Sequence, residues 1–163
     1  MAFWSVRQPI PVASRPPTPS ATQIAPTVTG AECLIGDWIE TNGTFTLLAG
    51  NTKLQFSGNG SLTKFSTDGK VLVVYKNVVY AASSSLNRYE VINNGTFMLD
   101  YATDATTIRY SNPVTVGTAT LKINGTVNTT APLVASLTPE TYTCQGNKLR
   151  LQGEQSVTEL QRL

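Results

Sequence analysis

Carboxylates near the ends of apolar runs, two cysteines and a set of tyrosines are the side chains through which this chain could do chemistry. Asp37, Glu40, Asp100 and Asp104 are the acidic residues in such places, where a pair held at a fixed separation can act as acid and base on a glycosidic bond. No spacing in the sequence fixes two of them together, so a hydrolase assignment has no anchor. Histidine is absent from all 163 residues, which removes the side chain best suited to exchange protons near neutral pH and the commonest neutral metal ligand. The Ser-His-Asp arrangement cannot be built, although serine with lysine could act without histidine. Cys144 is a poor nucleophile, with no histidine to activate it and Cys33 available as a disulfide partner. The sequence assigns no catalytic residue, metal site or cofactor, and a binding or structural role is preferred to an enzyme.

The elements that must position these groups are strands. Asn-Gly pairs at Asn42-Gly43, Asn59-Gly60, Asn94-Gly95 and Asn124-Gly125 separate short runs of Val, Ile, Leu, Phe, Tyr and Thr. Both residues tolerate positive φ, so each pair predicts a tight turn between antiparallel strands. Lys53 to Ser57 alternates with Leu54 and Phe56 on one face, and Thr118 to Ile123 alternates with Ala119, Leu121 and Ile123 on one face. The run from Val71 to Tyr80 is apolar on both faces near its start. Thr106 to Ser111 and Thr118 to Ile123 read as separate strands, and Pro132 to Leu137 as a link with a short helical turn. The expected fold is all-β, an antiparallel up-and-down barrel of about eight to ten strands, with a β-sandwich as the alternative. No βαβ crossover is present to give a glycine loop a nucleotide-binding meaning.

Residues 1–30 hold Pro9, Pro11, Pro16, Pro17, Pro19 and Pro26 among Ser, Thr, Ala and Gln. Proline fixes φ and removes donors, so this head reads as a linker or stalk ahead of a single domain at residues 31–163. Phe3, Trp4 and Val6 offer a small apolar anchor if the head docks instead. Twelve Lys and Arg stand against ten Asp and Glu, with Arg7 and Arg15 in the head. The domain's own charges balance, which disfavours a nucleic-acid partner. No apolar run is long enough for a transmembrane segment. A leader could have been removed, leaving the head as a surface tether. Cys33 and Cys144 lie near the two ends of the β region; bonded, they would bring the first strand beside one of the last. The other reading is two buried thiols in a cytosolic protein.

Cys33-Leu34-Ile35-Gly36-Asp37-Trp38 resembles the Gly-x-Trp opening of lipocalin-type barrels. Tyr142-Thr143-Cys144-Gln145-Gly146-Asn147-Lys148-Leu149-Arg150-Leu151 resembles the closing hairpin of small bacterial lipocalin-like domains. The resemblance spans residues 31–163, with its motifs at the two ends. It implies that Trp38 plugs one end of the barrel and stacks near a basic residue from a late strand. Arg150 is the first candidate for that residue, by its place in a strand, and Arg162 the second. The physics of Trp38 agrees: a large ring beside Gly36 can cover the end of a small β core, its indole N–H can reach a backbone acceptor, and an arginine could add about 1 kcal/mol.

The resemblance also implies a secreted or lipoprotein-like domain, extracellular, periplasmic or at the cell surface, that holds a small apolar ligand. Tyr75, Tyr80, Tyr89, Phe97, Tyr101 and Tyr110 could line its cavity. The same rings could instead fill the interior, leaving a structural or protein-interaction module with no small-molecule ligand.

Overall fold

The computed structural model describes residues 31–49 and 52–163. The Pro-rich head, with its proposed stalk and its docking residues Phe3, Trp4 and Val6, lies outside the described residues. A 3-10 turn at Ala31–Cys33 precedes ten strands: β1 (Gly36–Ala49), β2 (Thr52–Gly58), β3 (Leu62–Phe65), β4 (Lys70–Ser83), β5 (Arg88–Asp104), β6 (Thr107–Ile123), β7 (Thr126–Pro132), β8 (Glu140–Gln145), β9 (Lys148–Gln152) and β10 (Ser156–Arg162). Hydrogen bonds lead from β1 through β10, β9, β8, β6, β5 and β4, then back to β1 by way of β2 and β3. β3 pairs with the first part of β1 and β2 with the last part, and both also pair with β4. The two short strands therefore share one place in a closed, barrel-like antiparallel ring. β7 stands outside it, paired with β6. A sandwich of two separate sheets is not what forms.

Alternation sends every second residue inward, and bulges in β1, β4 and β6 reset its phase around the ring. In β4, Val71, Val73 and Tyr75 point in, and strict alternation would then turn Val78, Tyr80 and Ala82 outward. One extra residue at Lys76-Asn77, where Asn77 takes a φ of 54°, returns all three to the interior. This explains a run that reads as apolar on both faces. An extra residue between Glu40 and Asn42 does the same for β1, keeping Trp38 and Glu40 inside before it and Gly43 inside after it. A third, at Asn112-Pro113, lets Thr107 to Ile123 run as one strand rather than the two expected.

The turn chemistry differs from expectation at three of the Asn-Gly pairs. Asn124-Gly125 makes the two-residue connection between β6 and β7. Asn42-Gly43 lies within β1 beside its bulge, Asn94-Gly95 lies within β5, and Asn59-Gly60 marks the break between β2 and β3, which run end to end. The glycines are used for close approach as well as for turning. Gly95 and Gly117 face each other across β5 and β6 with φ of 139° and 127°, and a Cβ on either would strike the opposite backbone. Residues 133–139 carry no helical turn and run as irregular chain between β7 and β8.

The buried apolar residues form two clusters. One gathers Leu34, Trp38, Phe65, Ile108, Leu149 and Leu160 with other buried residues near the start of β1. The second holds Leu54, Phe56, Val78, Tyr80 and Ala82. Cys33 and Cys144 form a disulfide with Cα atoms 6.2 Å apart, linking positions 111 residues distant. Closing a loop of that length removes unfolded-state entropy worth about 4 to 5 kcal/mol.

Gly117→Ala is expected to lower stability by about 3 kcal/mol in urea denaturation, through strain and backbone overlap. Gly125→Ala meets open space at φ 81° and should cost only about 1 kcal/mol.

Candidate ligand-binding cavity

One end of the ring is sealed around Trp38, which has no solvent exposure. Its Nε1 donates to the Leu34 carbonyl at 2.8 Å. The guanidinium carbon of Arg162 lies 4.2 Å from the ring centroid, and the same group donates from Nη1 to the Ile35 carbonyl at 2.7 Å and from Nη2 to the Cys33 carbonyl at 2.8 Å. Gly36 has a φ of 135°, and a Cβ there would overlap Arg162 Nη1, so the glycine leaves room for the arginine. The register explains the partner: Trp38 sits opposite Arg162 in the β1–β10 ladder. Arg150, the first candidate from sequence, is not the plug residue. Its neighbours Leu149 and Leu151 point inward, so alternation turns Arg150 outward, where it pairs with Glu159 at 3.0 Å.

Beyond this seal the strands enclose a cavity of about 650 Å³. Its apolar wall includes Phe65, Val71, Val73, Leu99 and Leu151, and its rings include Phe45, Tyr75, Tyr80, Phe97 and Tyr110. Leu47, Val134, Glu154 and Gln155 also line it and are exposed, which puts the mouth near the ends of β1 and β9. Trp38 and this mouth lie at opposite ends of β1. Four of the six expected rings thus face the cavity. Tyr89 and Tyr101 do not, because β5 is 17 residues long and extends past the cavity at both ends. Tyr89 packs on the second apolar cluster. Tyr101 meets Phe65 edge-on at 5.3 Å and donates to the Ser66 carbonyl at 3.0 Å.

The cavity also holds carboxylates. Glu40 is 4% exposed; the Tyr80 hydroxyl donates to its two oxygens at 2.9 and 2.8 Å, and the Ser61 amide donates to Oε2 at 3.2 Å. Glu140 Oε2 accepts from the Tyr110 hydroxyl at 2.7 Å. This bond spans the thinnest part of the ring, where β6 and β8 share only Thr107↔Thr141 and Ile108↔Glu140. Burial pushes Glu140 above the usual carboxylate range, against the opposing effect of hydrogen bonds from Tyr110 and Ser156. Burial also pushes the phenols of Tyr80 and Tyr110 far up, so both remain donors. Tyr75 is raised by burial first, then by the negative charges of Glu40 and Glu140.

The remaining acidic candidates are surface groups. Asp37 meets Lys64 at 3.8 Å, Asp100 meets Lys70 at 2.8 Å and Asp104 meets Arg109 at 3.3 Å. Sequence reasoning included Glu40 and missed Glu140. Phase could have found both: Glu40 stands two residues after the buried Trp38, and Glu140 continues the inward alternation of Tyr142 and Cys144. Among the described residues no three His, Cys, Asp or Glu gather to hold a metal ion. Comparison with protein families and with curated proteins found no match to the chain.

Arg162→Ala should lower stability by about 2 to 3 kcal/mol, since it removes two charge-assisted bonds to the Ile35 and Cys33 carbonyls and the cover of Trp38. Arg150→Ala breaks an exposed ion pair and should change stability by less than about 1 kcal/mol. Denaturant midpoints would separate the two. Glu140 binds its proton more tightly when folded than unfolded, so its contribution is full at low pH and is lost as pH rises through its folded value. Glu140→Gln, whose amide oxygen can still accept from Tyr110, should raise the melting temperature near pH 8 and flatten its fall between about pH 4 and pH 8.

Proposed function

We propose that this chain is a lipocalin-like binding module, secreted or surface-tethered, that holds a small guest inside its ring of strands. The observation that carries the reading is the cavity of about 650 Å³, closed at the Trp38 end and reaching the surface at the other. Small-molecule sites fall in this size range and combine apolar walls with a few placed polar groups. The walls here supply both: Phe65, Val73 and Leu99 for the apolar body, and the Tyr80–Glu40 and Tyr110–Glu140 pairs for orientation. A structural module with a filled interior is less well supported, because a void of this volume forfeits contacts along its lining.

The Cys33–Cys144 bond supports an extracellular, periplasmic or cell-surface setting, since such crosslinks persist in oxidising compartments. No helix among the described residues is long and apolar enough to cross a membrane. Tethering through the head belongs to the same proposal.

Native mass spectrometry of the full chain, purified without unfolding, tests the reading. A retained non-covalent adduct that disappears on denaturation is the expected result. A clean mass, together with no fluorescence change when polarity-sensitive dyes are added, would overturn it.

A further inference from the structure

The cavity's charge is one-sided. Its lining includes the carboxyl groups of Glu40, Glu140 and Glu154 and, among the described residues, not one lysine or arginine. Glu40 and Glu140 take their hydrogen bonds from tyrosine hydroxyls and a backbone amide, and neither forms an ion pair among the described residues. The surface carboxylates Asp37, Asp100 and Asp104, by contrast, each have a cation. Burying carboxylates without a counter-charge is costly, and glutamine would give the same shape and accept the same phenol. A positive charge brought in from outside would supply the partner that both carboxyl groups lack among the described residues.

Resting on the binding-module reading above, we infer that the guest is a small organic cation, a protonated amine carried on an aromatic or aliphatic body. Its ammonium group would meet the carboxyl groups of Glu140 and Glu40, which line the cavity together with the Tyr75 ring. Tyr110 and Tyr80 already donate to these carboxylates, so their hydroxyls hold the acceptors in place while an ammonium supplies further donors. The faces of Phe45, Phe97 and the tyrosines suit a cation and its apolar body alike. An anionic guest such as a fatty-acid carboxylate would meet like charges and no cation. Glu154, exposed at the mouth, adds an attractive charge on the approach path.

Calorimetric titration of the full chain with three probes that share one ring system tests this: naphthylethylamine, naphthylethanol and naphthylacetate. The amine should bind at least about tenfold more tightly than the alcohol, with the acetate weakest. Glu140→Gln should narrow the gap between amine and alcohol to about twofold. Acidification from about pH 8 to about pH 5 should weaken amine binding more than alcohol binding, because a proton competes for Glu140. The groups facing that site are Glu40, the phenols of Tyr75, Tyr80 and Tyr110, and Glu154 at the mouth; the phenols stay protonated over this range. Alcohol or acetate binding as tightly as the amine would overturn the cation assignment while leaving a binding module. Failure of all three probes would sink both readings. If the Gln variant does not fold, the probe series on the unaltered chain across pH still decides.

Discussion

The last strand has to find the first, and the contact that fixes their meeting is Arg162 laid over Trp38. The arginine's two carbonyl partners, Ile35 and Cys33, lie just before β1, so one side chain fastens the chain's end to the beginning of the domain. Trp38 holds the same segment from within through its bond to the Leu34 carbonyl. The Cys33–Cys144 bond brings β8 to this point as well. Once these groups are in register, the ladder from Trp38↔Arg162 to Phe45↔Ser156 closes the ring, and everything the ring encloses follows from that closure.

Closure also explains the use of bulges. Strands of 14 and 17 residues must keep apolar side chains inside along a twisted surface, and simple alternation cannot do so over that length. Asn77, Asn112 and the Glu40–Asn42 step each insert one residue. The class of fold was legible because Leu54-Phe56 and Leu121-Ile123 alternate cleanly. Strand continuity was less so. Asn42-Gly43 and Asn94-Gly95 carry the local signature of a hairpin turn, yet tertiary pairing keeps both within long strands, where Gly43 leaves room for Glu40 and Tyr80 and Gly95 takes a positive φ against the facing Gly117. The Cys33–Cys144 pairing could be anticipated from position, whereas choosing between Arg150 and Arg162 required the β1–β10 register.

The cavity was harder to read for a related reason. Tyr75, Tyr80, Phe97 and Tyr110 stand out as aromatic residues, but identity alone does not tell how far along a strand the interior extends, so Tyr89 and Tyr101 looked equivalent to them. Glu40 could be singled out by its place near a strand end, whereas Glu140 is visible only through phase with buried Tyr142 and Cys144. The placement of these two glutamates is the feature least explained by folding alone. Tyr110–Glu140 crosses the weakly paired β6–β8 seam, so it contributes to holding the wall together while keeping a carboxyl group at the cavity surface. That coupling joins the polar character of the interior to the integrity of the ring.

Closure of β1 on β10 can be measured amide by amide, by hydrogen exchange and cross-strand nuclear Overhauser contacts in the full chain. Slow exchange along both strands, with contacts between Gly43 and Thr158 and between Trp38 and Arg162, is the outcome a sealed ring requires. Rapid exchange along one side of β1, with none of those contacts, would show an open sheet with a free border and would contradict it.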